Sequence, residues 1–244
     1  MRIYILTCED PLFSDRIFKH LFKTLPNQIV GVGFAAGLVT FDRVVVTLLV
    51  YGPINFLKFG FEVFRTTLFG SGKVEKVCAE NGISVDKPKT IKSQEFLENL
   101  KRLEPDLIVS INCNEIIGKT IREIPKYGVI NLHNGDLPRY RGLMPIFHAI
   151  RLREKSIGVS VQEIDSGKLD SGPILGQEKM DLLEKEDLLS AWSRATEVGS
   201  NLLLKVIRNL QNNECLPQKN DEKLATYYTL PSFREIYQYW KIIK

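Results

Sequence analysis

Short apolar runs alternate with segments of helical periodicity along the first part of the chain. Residues 2–7 form a β-rich apolar run, and apolar side chains then recur at helical spacing between Phe13 and Phe22. A second apolar run follows at residues 28–34. This strand–helix–strand beginning predicts a parallel α/β sheet.

The same alternation continues to residue 212 and defines the predicted elements of the main domain. The predicted strands are 83–85, 105–111, 128–133 and 157–164, and the predicted helices are 73–81, 93–103, 115–123, 144–153 and 186–212. Strand 105–111 is almost wholly apolar, as a central strand of a parallel sheet is. Together these elements predict an open, mostly parallel Rossmann-like α/β sheet with helices on both faces.

The chain changes character near its end. Residues 1–215 are predicted to form the main domain, because after Pro217 the sequence becomes polar and then aromatic and basic. Residues 216–244 are predicted to be a short C-terminal extension. Its aromatic side chains are interpreted as packing groups or as the contact of a homodimer, with a platform for a nucleotide as the less favoured alternative.

Residues 44–64 are strongly apolar and approach the length of a membrane span. A Gly-Pro pair at 52–53 and the charges of Lys58 and Glu62 interrupt the run. Two shorter helices joined at the Gly-Pro pair, within an insertion at about 41–70, fit this pattern better. Three alternatives stay open: a hairpin packed on the domain, a patch that contacts a membrane surface or covers a lipid-like acceptor, and a true span.

Composition narrows the class of protein. The 244 residues are 44% hydrophobic and 25% charged, which is ordinary for a globular protein. The net charge of +4 is too small to imply a nucleic-acid partner. The four cysteines form no CxxC pair, so no metal site is expected, and the N-terminus lacks the apolar region of a signal peptide. A cytoplasmic location is expected, with attachment at the inner membrane surface as the variant that run 44–64 allows.

The most informative stretch begins where the strand 128–133 ends. Asn131 and His133 are two residues apart, so both side chains point to the same side of an extended chain. The carboxyl end of a strand in an open parallel sheet is where ligands bind. An amide can donate to an oxyanion, and a histidine can carry a proton near neutral pH.

A second stretch, Leu169–Leu175, contains a carboxylate. Asp170 follows the predicted strand 157–164, so a loop can return it to the edge where His133 lies. A carboxylate beside a histidine orients the ring. Residues 137–142 between the two stretches carry Pro, Gly and two arginines, which indicates an ordered basic turn.

These residues resemble a known family. NLHNGDLPRYRG followed by LDSGPIL is similar to the folate-dependent formyltransferases, whose shared pattern is Asn-x-His, Leu-Pro-x-x-x-Gly and a later Asp-x-Gly. The resemblance covers roughly residues 1–215, which makes that segment the catalytic domain, and is strongest over 105–180. It implies that Asn131, His133 and Asp170 are the catalytic residues, that 10-formyltetrahydrofolate is the formyl donor, and that no metal is required.

The resemblance also implies binding residues. The donor is expected between the stretch 112–117 and the loop 165–170, with contacts from Asn112, Cys113, Asn114, Ile116, Ile117, Asp165 and Leu169. Because that loop is one residue longer than in many relatives, Asp165 is a rival for the role of Asp170. The acceptor is expected to contact Asn134, Asp136, Arg139, Tyr140 and Arg141, although the two arginines are equally interpretable as solvated charges.

The acceptor is expected to be a small-molecule amine. An amino sugar, nucleotide-linked or lipid-linked, is favoured because Asn134-Gly135-Asp136 is closer to sugar-modifying members of the family. Glycinamide ribonucleotide is disfavoured because the turn at 7–14 lacks a Gly-rich phosphate loop. Methionyl-tRNA is disfavoured because the family members that act on it carry a substantial C-terminal barrel, and only 29 residues follow 215. A formyltetrahydrofolate hydrolase and a non-catalytic folate-binding protein are the remaining alternatives.

Overall fold

The computed structural model describes residues 1–8, 14–36, 40–69 and 73–244. The turn predicted at residues 9–11, and with it most of the segment compared with a phosphate loop, lies outside the described residues. Nine strands are present in the described part of the chain. They are β1 (Ile3–Thr7), β2 (Ile29–Phe34), β3 (Val85–Asp86), β4 (Leu107–Ile111), β5 (Val129–His133), β6 (Arg141–Gly142), β7 (Ser156–Glu163), β8 (Ile174–Asp181) and β9 (Tyr227–Tyr228).

Seven of these strands form one open sheet in the order β3-β2-β1-β4-β5-β7-β8. The first five are parallel, β7 runs antiparallel to β5, and β8 runs antiparallel to β7. The predicted open, mostly parallel α/β sheet is therefore confirmed. Strand β8 was not anticipated from the sequence, and the predicted strand 157–164 turns out to be antiparallel.

Eight helices accompany the strands in the described residues. They are α1 (Ser14–Thr24), α2 (Phe41–Phe69), α3 (Lys73–Glu80), α4 (Gln94–Arg102), α5 (Lys119–Arg122), α6 (Pro145–Arg151), α7 (Leu188–Gln211) and α8 (Phe233–Ile243). The helix predicted over 115–123 is wrong in length, because only its last part, α5, is helical. The residues before α5 form a loop that carries polar and apolar side chains to the end of β4.

Helices cover both faces of the sheet because successive side chains of its central strands point in opposite directions. Ile3 and Ile5 of β1 join a core that includes residues of α1, α3, α6 and α7. Tyr4 and Leu6 join a second core with residues of α4 and α5. Both faces of β1 and β4 are thus buried, which leaves the carboxyl ends of these strands as the edge where polar groups collect.

The C-terminal residues are packed against this frame. Strand β9 pairs in parallel with β6, and α8 begins with a capping box formed by Ser232 and Glu235. Tyr239 is buried, and its hydroxyl accepts a hydrogen bond from the backbone of Leu188 at 2.9 Å. The boundary near residue 215 stays a prediction.

Helix α2 is bent, as the Gly-Pro pair predicts. Gly52 has non-helical angles (φ 76°, ψ 166°), so two helical segments meet there. The first segment is attached to the fold, because Val50 is buried and the Trp240 indole donates to the carbonyl of Leu49 at 2.8 Å. None of the helices in the described ranges combines the length and the hydropathy that a membrane span requires.

Candidate active site

Three neighbouring strands place a row of polar side chains at the carboxyl edge of the sheet. Ser110 of β4 is the register partner of Asn131 of β5, and Asn131 is in turn the partner of Gln162 of β7. All three side chains line the same cavity. Within the described residues the Asn131 amide makes no hydrogen bond, so its donors are available to a ligand.

His133, two residues further along β5, lines the same cavity and is almost fully buried. Its Nε2 lies 2.8 Å from the carbonyl oxygen of Tyr140. A carbonyl can only accept, so Nε2 carries a proton and the neutral ring has its lone pair on Nδ1. That Nδ1 lies 3.8 Å from Oδ1 of Asp170. One ring nitrogen is thus held by the backbone and the other faces a carboxylate.

Asp170 is buried beside His133 and is held by two donors. Its Oδ1 accepts from the Gln162 amide at 2.8 Å, and its Oδ2 accepts from the backbone N–H of Gly142 at 2.9 Å. Asp165, the rival acid, is exposed and does not line the cavity. The structure therefore brings Asn131, His133 and Asp170 together, and it places Asp170 rather than Asp165 next to the histidine.

The cavity beside these residues has a volume of about 620 Å³, which is in the range of small-molecule sites. Of the predicted donor-binding residues, all but Asp165 line it. The loop after β4 and the loop that follows β7 both contribute residues to its lining. Ile116 and Leu169, one from each loop, are large, exposed apolar side chains.

The loop after β4 is held in place by hydrogen bonds and presents a polar atom to the cavity. The Glu115 carboxylate accepts hydrogen bonds from the Thr90 hydroxyl and from the backbone of Ile91. The side-chain oxygen of Asn114 is buried at the cavity and has no hydrogen-bond partner among the described residues. A buried acceptor without a partner is costly, so this oxygen points to a ligand that donates.

Burial raises the pKa of two ionisable groups near the cavity. Burial raises the pKa of the Cys113 thiol, so this group stays protonated near neutral pH. Burial, and then the neighbouring Asp165 carboxylate, raises the pKa of Glu163. Among the described residues, no group of three or more histidine, cysteine or acidic side chains could hold a metal ion.

The predicted acceptor-binding residues are only partly brought to the cavity. Asn134 lines it. Arg139 and Tyr140 turn away, and both contact the carboxylate of Glu154. Asp136 accepts from Arg139 at 3.3 Å, outside the cavity wall. Neither Tyr140 nor Asp136 is therefore placed where it can touch a molecule in the cavity.

Comparison with known proteins identifies the family. A family model described as formyl transferase matches residues 67–207, which is more than half of the chain. This chain belongs to the formyl transferase family. A methionyl-tRNA formyltransferase from Fusobacterium nucleatum is 34% identical over 154 residues, covering 63% of this chain and 49% of that protein. The chain thus spans about half the length of the curated relatives that it matches.

Solved structures show the same fold. The N-formyltransferase from Helicobacter canadensis, in complex with folinic acid and dTDP-3-aminofucose, has a TM-score of 0.64 at 17% identity and aligns with 100% of this chain and 80% of its own. The phosphoribosylglycinamide formyltransferase from Bacillus halodurans has a TM-score of 0.63 at 21% identity, covering 86% of this chain and 95% of its own. At these identities the likeness establishes the fold of this family member.

Sequence reasoning missed one residue that supports this site. Asn220, from the C-terminal residues, is buried, and its amide donates to the carbonyls of Asp170 at 3.0 Å and Gly172 at 2.9 Å. Its side-chain oxygen accepts from Arg141 at 2.7 Å. Arg141, predicted to bind the acceptor, is itself buried and pairs with Glu222. Arg141 and Asn220 therefore hold the backbone that carries Asp170, and we regard Asn220 as a positioning residue.

Replacing Asn220 by aspartate is expected to lower kcat while leaving the KM for the formyl donor nearly unchanged. Aspartate keeps the acceptor for Arg141 but loses both donors to the loop, at a cost of about 1–3 kcal/mol in stability. The measurement is steady-state kinetics with thermal unfolding of the same preparations. Lys219→Ala, at the exposed neighbouring position, is the control. A variant with wild-type kcat would show that Asn220 does not position Asp170.

Proposed function

We propose that this chain transfers a formyl group from 10-formyltetrahydrofolate to the amino group of a small-molecule acceptor, an amino sugar. The observation that carries the proposal is the meeting of Asn131, His133 and Asp170 beside one cavity, on a chain of the formyl transferase family. An amide, an imidazole and a carboxylate are the groups needed to stabilise an oxyanion and to accept the proton of an attacking amine.

The cavity fits a reduced-folate donor. A pterin ring is flat and carries N–H donors, which suits the buried, unpartnered oxygen of Asn114. Ile116 and Leu169, from the two loops that line the cavity, offer apolar surface to such a ring. When bound, the donor supplies an activated formyl carbon. Asn112, Asn114 and the backbone of their loop would hold it.

Asn131, His133 and Asp170 would each have a separate role in the transfer. The Asn131 amide donates to the formyl oxygen as negative charge develops there. Nδ1 of His133 accepts the proton that the amine loses as its nitrogen bonds to the formyl carbon, because Nε2 is already committed to the Tyr140 carbonyl. The same proton would pass to N10 of the folate as the bond between N10 and the formyl carbon breaks, so that tetrahydrofolate leaves. Asp170 then faces the charged ring and holds it in place, while Gln162 and the Gly142 backbone keep the carboxylate from turning away.

The identity of the acceptor is the more specific part of the proposal. Amide and hydroxyl groups line the cavity next to His133, from Ser110, Asn134 and Gln162. Such neutral groups both donate and accept, as recognition of sugar hydroxyls requires. Methionyl-tRNA is the second candidate, because the sequence relatives at 32–39% identity are named methionyl-tRNA formyltransferases.

The expected result is formylation of an amino-sugar nucleotide, read as the mass gain of one formyl group. Purified protein is incubated with 10-formyltetrahydrofolate and a panel of amino-sugar nucleotides, and in parallel with charged initiator tRNA. Product on the tRNA alone would select the second candidate. Formate release that does not depend on an amine would indicate a hydrolase, and donor binding without turnover on any amine would indicate a binding protein.

A further inference from the structure

The two segments of α2 have different surroundings. In the first, Arg43, Val46, Thr47 and Tyr51 line the cavity. In the second, which follows the break at Gly52, the described side chains belong to neither of the two hydrophobic cores. The helix thus runs from the rim of the cavity into a segment that packs little against the fold.

The second segment presents an apolar stripe to solvent. Its members, Ile54, Leu57, Phe61 and Phe64, are 70%, 71%, 64% and 60% exposed. They are spaced by three, four and three residues, which places them along one side of a helix. Large apolar side chains grouped in this way mark an interaction surface.

We propose that this stripe docks on the surface of an anionic phospholipid bilayer. The basic side chain of Lys58 is exposed, and on the helix surface it neighbours Ile54 and Phe61. A lysine at this place can extend to lipid phosphates while the apolar side chains enter the acyl boundary. The net charge of the whole chain, +4, is small, so the preference for an anionic surface rests on Lys58 within the stripe.

A second copy of the chain fits the stripe less well. Four such side chains at this exposure present on the order of 500 Å². A stable protein interface buries about 800 Å² on each partner. Embedding in lipid has no such minimum, because binding strength grows with the apolar area that enters the bilayer.

Docking through α2 would bring the cavity to the membrane. Because the first segment of the same helix lines the cavity, a bound bilayer would lie close to its rim. An amine acceptor carried on a lipid could then enter from the bilayer side. This last step rests on the proposed function, whereas binding to the bilayer does not.

The test is flotation of the full chain with vesicles of phosphatidylcholine and phosphatidylglycerol in a three-to-one ratio. The wild-type protein is expected to float with these vesicles, less with pure phosphatidylcholine, and less at high salt. The Leu57→Ser/Phe61→Ser variant is expected to bind about tenfold more weakly or worse, because two large side chains no longer enter the bilayer. Formylation of a soluble amine by this variant should be unchanged, since neither residue lines the cavity.

The matched control removes the same residue types elsewhere. Leu216 and Phe233 are 85% and 73% exposed and lie outside α2, so Leu216→Ser/Phe233→Ser should float like the wild type. Equal loss in both double variants, or no flotation of the wild type, would overturn the proposal. Lipid-independent dimers that the Leu57/Phe61 variant abolishes would assign the stripe to a second copy instead. Failure of formyl transfer would leave the flotation result standing.

Discussion

Replacing Asp170 by asparagine is expected to lower kcat by about 10²–10⁴-fold, the range typical of a lost acid–base contribution. The carboxylate faces Nδ1 of His133 at 3.8 Å. In the proposed reaction this nitrogen receives the proton of the amine. Asparagine leaves the charged ring without its counter-charge. The fold should persist, because the Gln162 amide can flip and still bond to the new side chain, and the Gly142 N–H keeps an acceptor.

The matched control is Asp165→Asn. Asp165 lies in the same loop, but it is exposed and does not line the cavity, so its loss should leave kcat unchanged. Both variants are assayed at saturating donor and acceptor, with thermal unfolding to verify the fold. If Asp165→Asn lost the activity and Asp170→Asn retained it, the assignment of the two acids would have to be exchanged.

The part of the site that lies on β5 was predictable because it depends on a single strand. Asn131 and His133 are two residues apart, and the side-chain period of a strand places them on one side. The choice between Asp165 and Asp170 was not predictable in this way. Both lie in an irregular loop, where no period fixes which side chain turns inward; the structure places Asp170 there with φ 50°.

The basic turn after β5 shows the same limit. Tyr140 adopts a positive φ of 60°, and its side chain turns towards Tyr228, on which it stacks at 5.3 Å between ring centroids. Arg141 is drawn inward by Asn220, which lies 79 residues later. A local sequence pattern depends on residues that are close along the chain. It therefore cannot predict a contact between residues that are so far apart in the sequence. The resemblance supplied the motif but not the direction of these side chains.

Strand β8 was not predicted from the sequence, for a different reason. It is the last strand of the sheet, and only Ile174 and Met180 of its eight residues are buried. Its polar, partly exposed residues lack the continuous apolar run by which β4 is recognised. Gly176 of this strand packs closely against Leu202 and Val206 of α7. Because glycine has no side chain, this contact adds no apolar residue to the sequence pattern of the strand.

A substitution at Gly172, in the loop between β7 and β8, is expected to have the second large effect on activity. A methyl group at this position would overlap the carbonyl oxygen of Glu163, a backbone atom that cannot swing aside. Gly172→Ala must therefore displace the loop that carries Asp170. Because Asn220 donates to both Asp170 and Gly172, the displacement should break this support as well.

We expect Gly172→Ala to lose about 1–3 kcal/mol of stability from overpacking and to lower kcat by about 10² or more as Asp170 leaves His133. Gly118→Ala is the matched control, since nothing stands within 4 Å of the added methyl and Gly118 does not line the cavity. The measurements are thermal unfolding and kcat for both variants. Activity of Gly172→Ala equal to that of Gly118→Ala would mean that the loop can move without separating the carboxylate from the imidazole. In that case the close packing of the loop on β7 would serve the fold and not the chemistry.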